Sequence, residues 1–189
     1  MKKYLIHFPA IVVGFVIWGA TSVPAAAATT CQLTVSENSI NLGRISMPQR
    51  MLQRSDDNGQ KISSSNRTLS ITCNASVPML LEFRAAAANA GKLSLGPSGS
   101  YTVRILRARM DGRPLQIGRA SSSTQVPTEV ADQLQLLASD SITAVSEQKV
   151  ASGKRLDLEL QIEAFVRKDA VLSDEIKLEG ESRFDLNTN

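Results

Sequence analysis

The sequence predicts an antiparallel β-sandwich, on three observations: apolar residues alternate with polar ones along most of its length, turn-forming residues separate the alternating runs, and helical periodicity is scarce. The most regular run is Leu156, Leu158, Leu160, Ile162, Ala164 and Val166, in step with Asp157, Glu159, Gln161 and Glu163 on the opposite face. Such a period of two puts one face of a long strand in the core and the other in water. Six or more shorter strands, with no alternation of helix and strand, make the sandwich one of immunoglobulin-like kind.

The chain of 189 residues opens with a segment that the fold does not need. Met1-Lys2-Lys3 is a charged start, residues 4–20 are almost wholly apolar, and Ala25-Ala26-Ala27-Ala28 offers small-residue cleavage sites. Residues 1–28 therefore read as a secretory signal peptide cut after Ala27 or Ala28. A membrane span is the weaker reading, because Thr21-Ser22-Val23-Pro24 cuts the apolar run near the short end for crossing a bilayer. Residues 29–189 then form a single domain, large enough to bury a core.

The only histidine, His7, and the only tryptophan, Trp18, leave with the signal. Without imidazole there is no Ser-His-Asp or Cys-His pair and no histidine metal site, so no cofactor or metal is expected. Lys2 and Lys3 leave as well, and 21 basic against 18 acidic residues become 19 against 18. So neutral a surface has no electrostatic footprint for nucleic acid. With only Phe83, Tyr101, Phe165 and Phe184 as mature aromatics, stacking platforms are few.

Cys31 and Cys73 are the only cysteines. In an exported protein an isolated pair is most economically a disulfide, and neither CxxC spacing nor neighbouring ligands favour a reactive or metal-binding pair. The strands follow in order. Leu33 and Val35 alternate, then Ile40 and Leu42, then Leu69, Ile71 and Cys73. Met79, Leu81 and Phe83 come next, followed by Leu93 and Leu95, and by Tyr101, Val103 and Ile105. Ile176, Leu178, Phe184 and Leu186 close the chain around Gly180.

Three segments depart from this pattern. Val130, Leu134 and Leu137 stand at i, i+4 and i+7, which predicts a short amphipathic helix over 128–138 with Thr128 as N-cap. The polar, Ser-rich stretch 49–65 reads as a long loop. Residues 85–88, all alanine, read as one helical turn.

Catalytic constellations are weak. Asp56-Asp57 and Asp174-Glu175 are adjacent acids that a strand would point opposite ways. Ser63-Ser64-Ser65 and Ser121-Ser122-Ser123 have no base nearby, and Gly96-Pro97-Ser98-Gly99 lacks the ending of a phosphate loop. Arg104, Arg107, Arg109 and Arg113 form one basic cluster, with Asp111 inside it, and read as a solvated strand face. No enzymatic activity is expected.

Cys31-Gln32-Leu33-Thr34-Val35, Ile40-Asn41-Leu42-Gly43 and Leu69-Ser70-Ile71-Thr72-Cys73 together resemble the opening of chaperone–usher fimbrial subunits. The tail resembles that family too, with the long strand at 156–166, Gly180 and the alternating end at Phe184 and Leu186. The resemblance implies a pilin-type sandwich that lacks its last strand. Its open groove takes a strand from a periplasmic chaperone and then from a neighbouring subunit, and the handover occurs at an outer-membrane usher. Leu156, Leu158, Leu160, Ile162, Phe184 and Leu186 are the implied groove residues. The implied function is a non-catalytic structural or adhesive subunit of a surface fimbrium, reached through the periplasm, with a host-surface ligand if it is adhesive.

Two features differ from that family. Only Thr29 and Thr30 stand between the expected cleavage and Cys31, a reach of about 10 Å at most. A segment that short cannot fill a neighbour's groove, so a tip or tip-proximal position is expected. The end, Phe184-Asp185-Leu186-Asn187-Thr188-Asn189, lacks the aromatic that the family places one residue before its C-terminus. The alternative function is a periplasmic accessory or binding protein with a complete immunoglobulin-like fold.

Overall fold

A computed structural model describes residues 28–37, 55–56, 59–166 and 178–188. The strands run β1 Cys31–Val35, β2 Ser55–Asp56, β3 Gly59–Pro78, β4 Leu80–Ala85, β5 Leu93–Ser94, β6 Gly99–Met110, β7 Arg113–Arg119, β8 Glu129–Ala131, β9 Leu134–Leu136, β10 Ser141–Ser146, β11 Lys149–Val150, β12 Ser152–Val166 and β13 Ser182–Asn187. All described pairings between strands are antiparallel.

One sheet has the order β1-β3-β12-β6, and the other β7-β10-β4-β13. β7 belongs to both. Leu115 pairs with Ala108 of β6, and one residue later Gln116 pairs with Val145 of β10, so a single strand closes one side of the sandwich. On the other side stand the edges, β1 and β13. Each has one strand partner among the described residues, β3 for β1 and β4 for β13.

Period-two burial makes the core. Leu69 and Ile71 of β3, Val103 and Ile105 of β6, and Leu156 and Leu158 of β12 meet Leu81 and Phe83 of β4, Ile117 of β7 and Ile142 of β10, all essentially buried. The one deeply buried threonine among the described residues, Thr143, donates its hydroxyl to the Met79 carbonyl at 2.9 Å. Its polar group is thereby satisfied. Between β6 and β7 the turn Asp111-Gly112 takes φ of 50° and 80°, the left-handed region that asparagine, aspartate and glycine tolerate best. The Asp111 carboxylate then accepts the N–H groups of Lys154 and Arg155 at 3.1 and 2.9 Å, tying the hairpin to β12.

Three expectations are corrected. Residues 128–138 form no helix: they are β8 and β9. Leu134 and Leu136 lie opposite Ile105 and Val103 and are buried, whereas Leu137, which a helix would have turned inward, is 40% exposed. A helix of eleven residues is marginal alone, and the edge of β6 offers both ladder partners and apolar burial. Arg119 locks the result, with its guanidinium on Asp140, Glu129 and the Gln135 carbonyl. Burial would lower the Arg119 pKa, but these acids outweigh it and hold it raised.

The second correction concerns 49–65. Ser55–Asp56 and residues from Gly59 onward are strand, with Ser63, Ser64 and Ser65 opposite Ala164, Glu163 and Ile162 of β12. Serine is a poor strand former by itself, but β12 presents a full ladder, and context overrides propensity. The rest of that stretch, residues 1–27 of the expected signal peptide, the Ile40–Gly43 motif, Asp57, Asp174-Glu175 and Ile176 lie outside the described residues. The third concerns 85–88. Ala85 ends β4, Ala87 bridges to Leu93, and the helical turn, a 3-10 turn, falls at Asn89–Gly91.

A slot between two strand edges

Cys31 and Cys73 face each other across β1 and β3 in direct register, with their Cα atoms 4.1 Å apart and their sulfurs bonded. The disulfide holds β1 on the sheet at the start of the strand. Hydrogen bonds continue the pairing outward at both ends, from Asn74 N–H to the Thr30 carbonyl and from Ser36 N–H to the Thr68 carbonyl. β1 then covers the edge of β3 from Leu69 to Cys73.

Beyond that point the sandwich opens. A cavity of about 470 Å³ lies between β1 and β13, within the ordinary range of ligand pockets. Its floor is Phe83, Tyr101, Val103, Leu160 and Ile162, and Phe184 forms part of one wall. The Phe83 and Phe184 rings meet at 5.0 Å with a 45° tilt. Leu33 and Val35 of β1 line the other wall, and Val35 is 37% exposed although it faces the slot. The Tyr101 hydroxyl donates to the Glu181 carbonyl, and burial raises its pKa against a lowering hydrogen bond with Ser182.

The rim is polar. Arg183 pairs with Asp185 at 3.1 Å, and Arg67 of β3 pairs with Glu37 at 2.6 Å. Gly180 admits the returning chain here, since a Cβ on it would stand 2.7 Å from the Ser94 carbonyl oxygen. That approach is one only glycine permits.

Of the six sequence-derived groove residues, the structure brings Leu160, Ile162 and Phe184 together around the slot. Leu156 and Leu158 stand lower on the same strand, sealed in the core. Leu186 packs beside the core, opposite Leu81. Sequence reasoning missed Phe83, Tyr101, Val103, Leu33 and Val35 as lining residues. Their alternation was visible, but not that they border an unfilled position.

The other candidates scatter. Arg104, Arg107 and Arg109 are exposed on the outer face of β6, with Arg107 3.7 Å from Glu159, and Arg113 starts β7. A second hollow of about 330 Å³ on that face mixes Arg107 and Arg109 with Asp157 and Glu159. Gly96-Pro97-Ser98-Gly99 is the turn between β5 and β6, closed by Leu95 N–H on the Gly99 carbonyl. Among the described residues no group of three metal-ligating side chains forms, and no helix is long and apolar enough to cross a membrane. Comparison with family models finds no match, and comparison with curated proteins finds none either.

Proposed function

We propose that this chain is a strand-accepting structural or adhesive subunit of a surface fimbrium, exported through the periplasm and completed by a β-strand from another chain. One observation carries the reading: the two edge strands of the sandwich, β1 and β13, flank an apolar cavity of about 470 Å³. An extended segment laid there gains ladder hydrogen bonds from an edge and buries alternate side chains against Phe83, Leu160, Ile162 and Phe184. β13 is six residues long, so the complementary stretch is about 20 Å. Left open, such an edge invites aggregation, which is why a chaperone would hold the chain until the neighbouring subunit replaces it. The usher and chaperone are partners by resemblance in the opening and closing strands.

The test is to fuse a thirteen-residue segment of alternating apolar residues behind Asn189 through a short flexible linker. The fused protein should be more soluble and melt higher than the unfused mature chain. A mature chain that is soluble, melts cooperatively and gains nothing from the fused strand would instead be a complete sandwich acting as a periplasmic binding or accessory protein.

A further inference from the structure

The free edge of the second sheet is β13, which pairs with β4 alone among the described strands. Its register decides which of its backbone groups are spare. Phe184 lies opposite Phe83, and the Phe83 N–H donates the other way, to the Asp140 carbonyl at 2.7 Å. Phe83 and Phe184 are therefore a non-hydrogen-bonded pair, in which the N–H and C=O of Phe184 point away from β4. By the same alternation, the backbone groups of Ser182 and Leu186 point to the free edge as well.

The outer face of this edge carries charges sorted by level. Arg183 lies opposite Arg84 and Asp185 lies opposite Glu82, so each level across the two strands holds one sign. Like charges directly opposite are destabilising. Within the chain they are relieved between levels, by Arg183 on Asp185 at 3.1 Å, Arg84 on Asp185 at 3.4 Å and Arg84 on Glu82 at 2.5 Å. A two-fold axis through the sheet at Phe184 lays the β13 of a second copy antiparallel on this edge, with Phe184 opposite Phe184 and, on either side, Arg183 of one copy opposite Asp185 of the other. Each arginine level then continues into an acidic one. The same axis sets the spare groups of Phe184 against those of its copy, and those of Ser182 against those of Leu186. An axis at Arg183 or at Asp185 opposes like charges instead. One at Leu186 carries Arg183 past the end of the facing strand, which stops at Asn187.

We propose that β13 is a self-complementary edge, and that two copies of this chain pair through it about a two-fold axis at Phe184, with Arg183 of each copy on Asp185 of the other. A contact of that kind closes on itself, so it covers an edge that would otherwise template open-ended association. The inference needs only the free edge and its charges, and it stands whether or not the chain enters a fibre. A donor strand laid on the same edge would displace the second copy.

Sedimentation velocity on the full mature chain reads the pairing. At low ionic strength the chain should sediment as a dimer, and the dimer should weaken as salt screens its exposed charge pairs. Arg183→Asp and Asp185→Arg should each weaken dimerisation on the order of tenfold, because both contacts between copies become like-charged. The two side chains are 65% and 49% exposed, so neither reversal disturbs the core. Mixed one to one, the two variants should dimerise again, since one chain then presents only acids on this face of β13 and the other only bases. No pairing within a single chain produces that rescue, and the rescue itself shows that both variants are folded. A monomeric parent, single variants that dimerise as tightly as the parent, or a mixture that stays monomeric overturns the proposal. None of these outcomes depends on the melt of the fused-strand protein, so this inference and the strand-acceptor reading fail separately.

Discussion

Asp157 illustrates how a single outward position on β12 contributes to stability. Burial would push its carboxyl up, but hydrogen bonds from Arg155 at 2.9 Å and from Ser70 at 2.7 Å, with the charges of Arg155 and Arg109, outweigh that and hold it below the ordinary value. A depressed folded pKa means that the contribution is fully present above the unfolded value, about 3.9, and is lost as pH falls through the lower folded one. Because the pair is partly in water, the contribution is under about 1 kcal/mol. Asp157→Asn should therefore lower the urea midpoint at neutral pH. The gap from the parent should shrink once the pH is well below the ordinary carboxyl range; a gap that does not narrow with acid would place the effect in packing rather than charge. The acid and its arginine neighbours were visible in the sequence, but the serine 87 residues away was not.

At the scale of elements, β1 is the strand with most to lose. Five residues long and mostly half-exposed or exposed, it is anchored by the Cys31–Cys73 bond. Closing a loop with a sequence separation of 42 contributes about 4 kcal/mol in the chain-entropy account. The double variant Cys31→Ala with Cys73→Ala should lose stability of that order. Its amide exchange should rise first in β1, since β3 is still held by β12. Uniform protection loss across both sheets would show instead that the disulfide supports the whole sandwich. The pairing was legible because a chain with only two cysteines, if its start is read as an export signal, has one bond to make. β8 and β9 were not legible, because Val130, Leu134 and Leu137 satisfy a helical period while Leu134 and Leu136 satisfy a strand period. Only the free edge of β6 chose between them.

For the whole molecule, a slot between two sheet edges is the feature on which the proposed strand-acceptor role rests. The fold class was readable from the sequence by itself, because period-two alternation and turn residues are local properties of the chain. The same is true of the disulfide and of three of the slot's lining residues, Leu160, Ile162 and Phe184, which lie in alternating runs. What only the tertiary structure decided is where the sandwich is open. Leu158 and Leu160 are indistinguishable in pattern, yet one is sealed under the Leu69 pairing and the other borders the cavity. Likewise Ser65, read as part of a loop, stands on the same face of β3 as Arg67 and Leu69 because β12 fixes its register. Alternation tells a residue which face it occupies; whether anything stands opposite that face depends on strands far away in the chain.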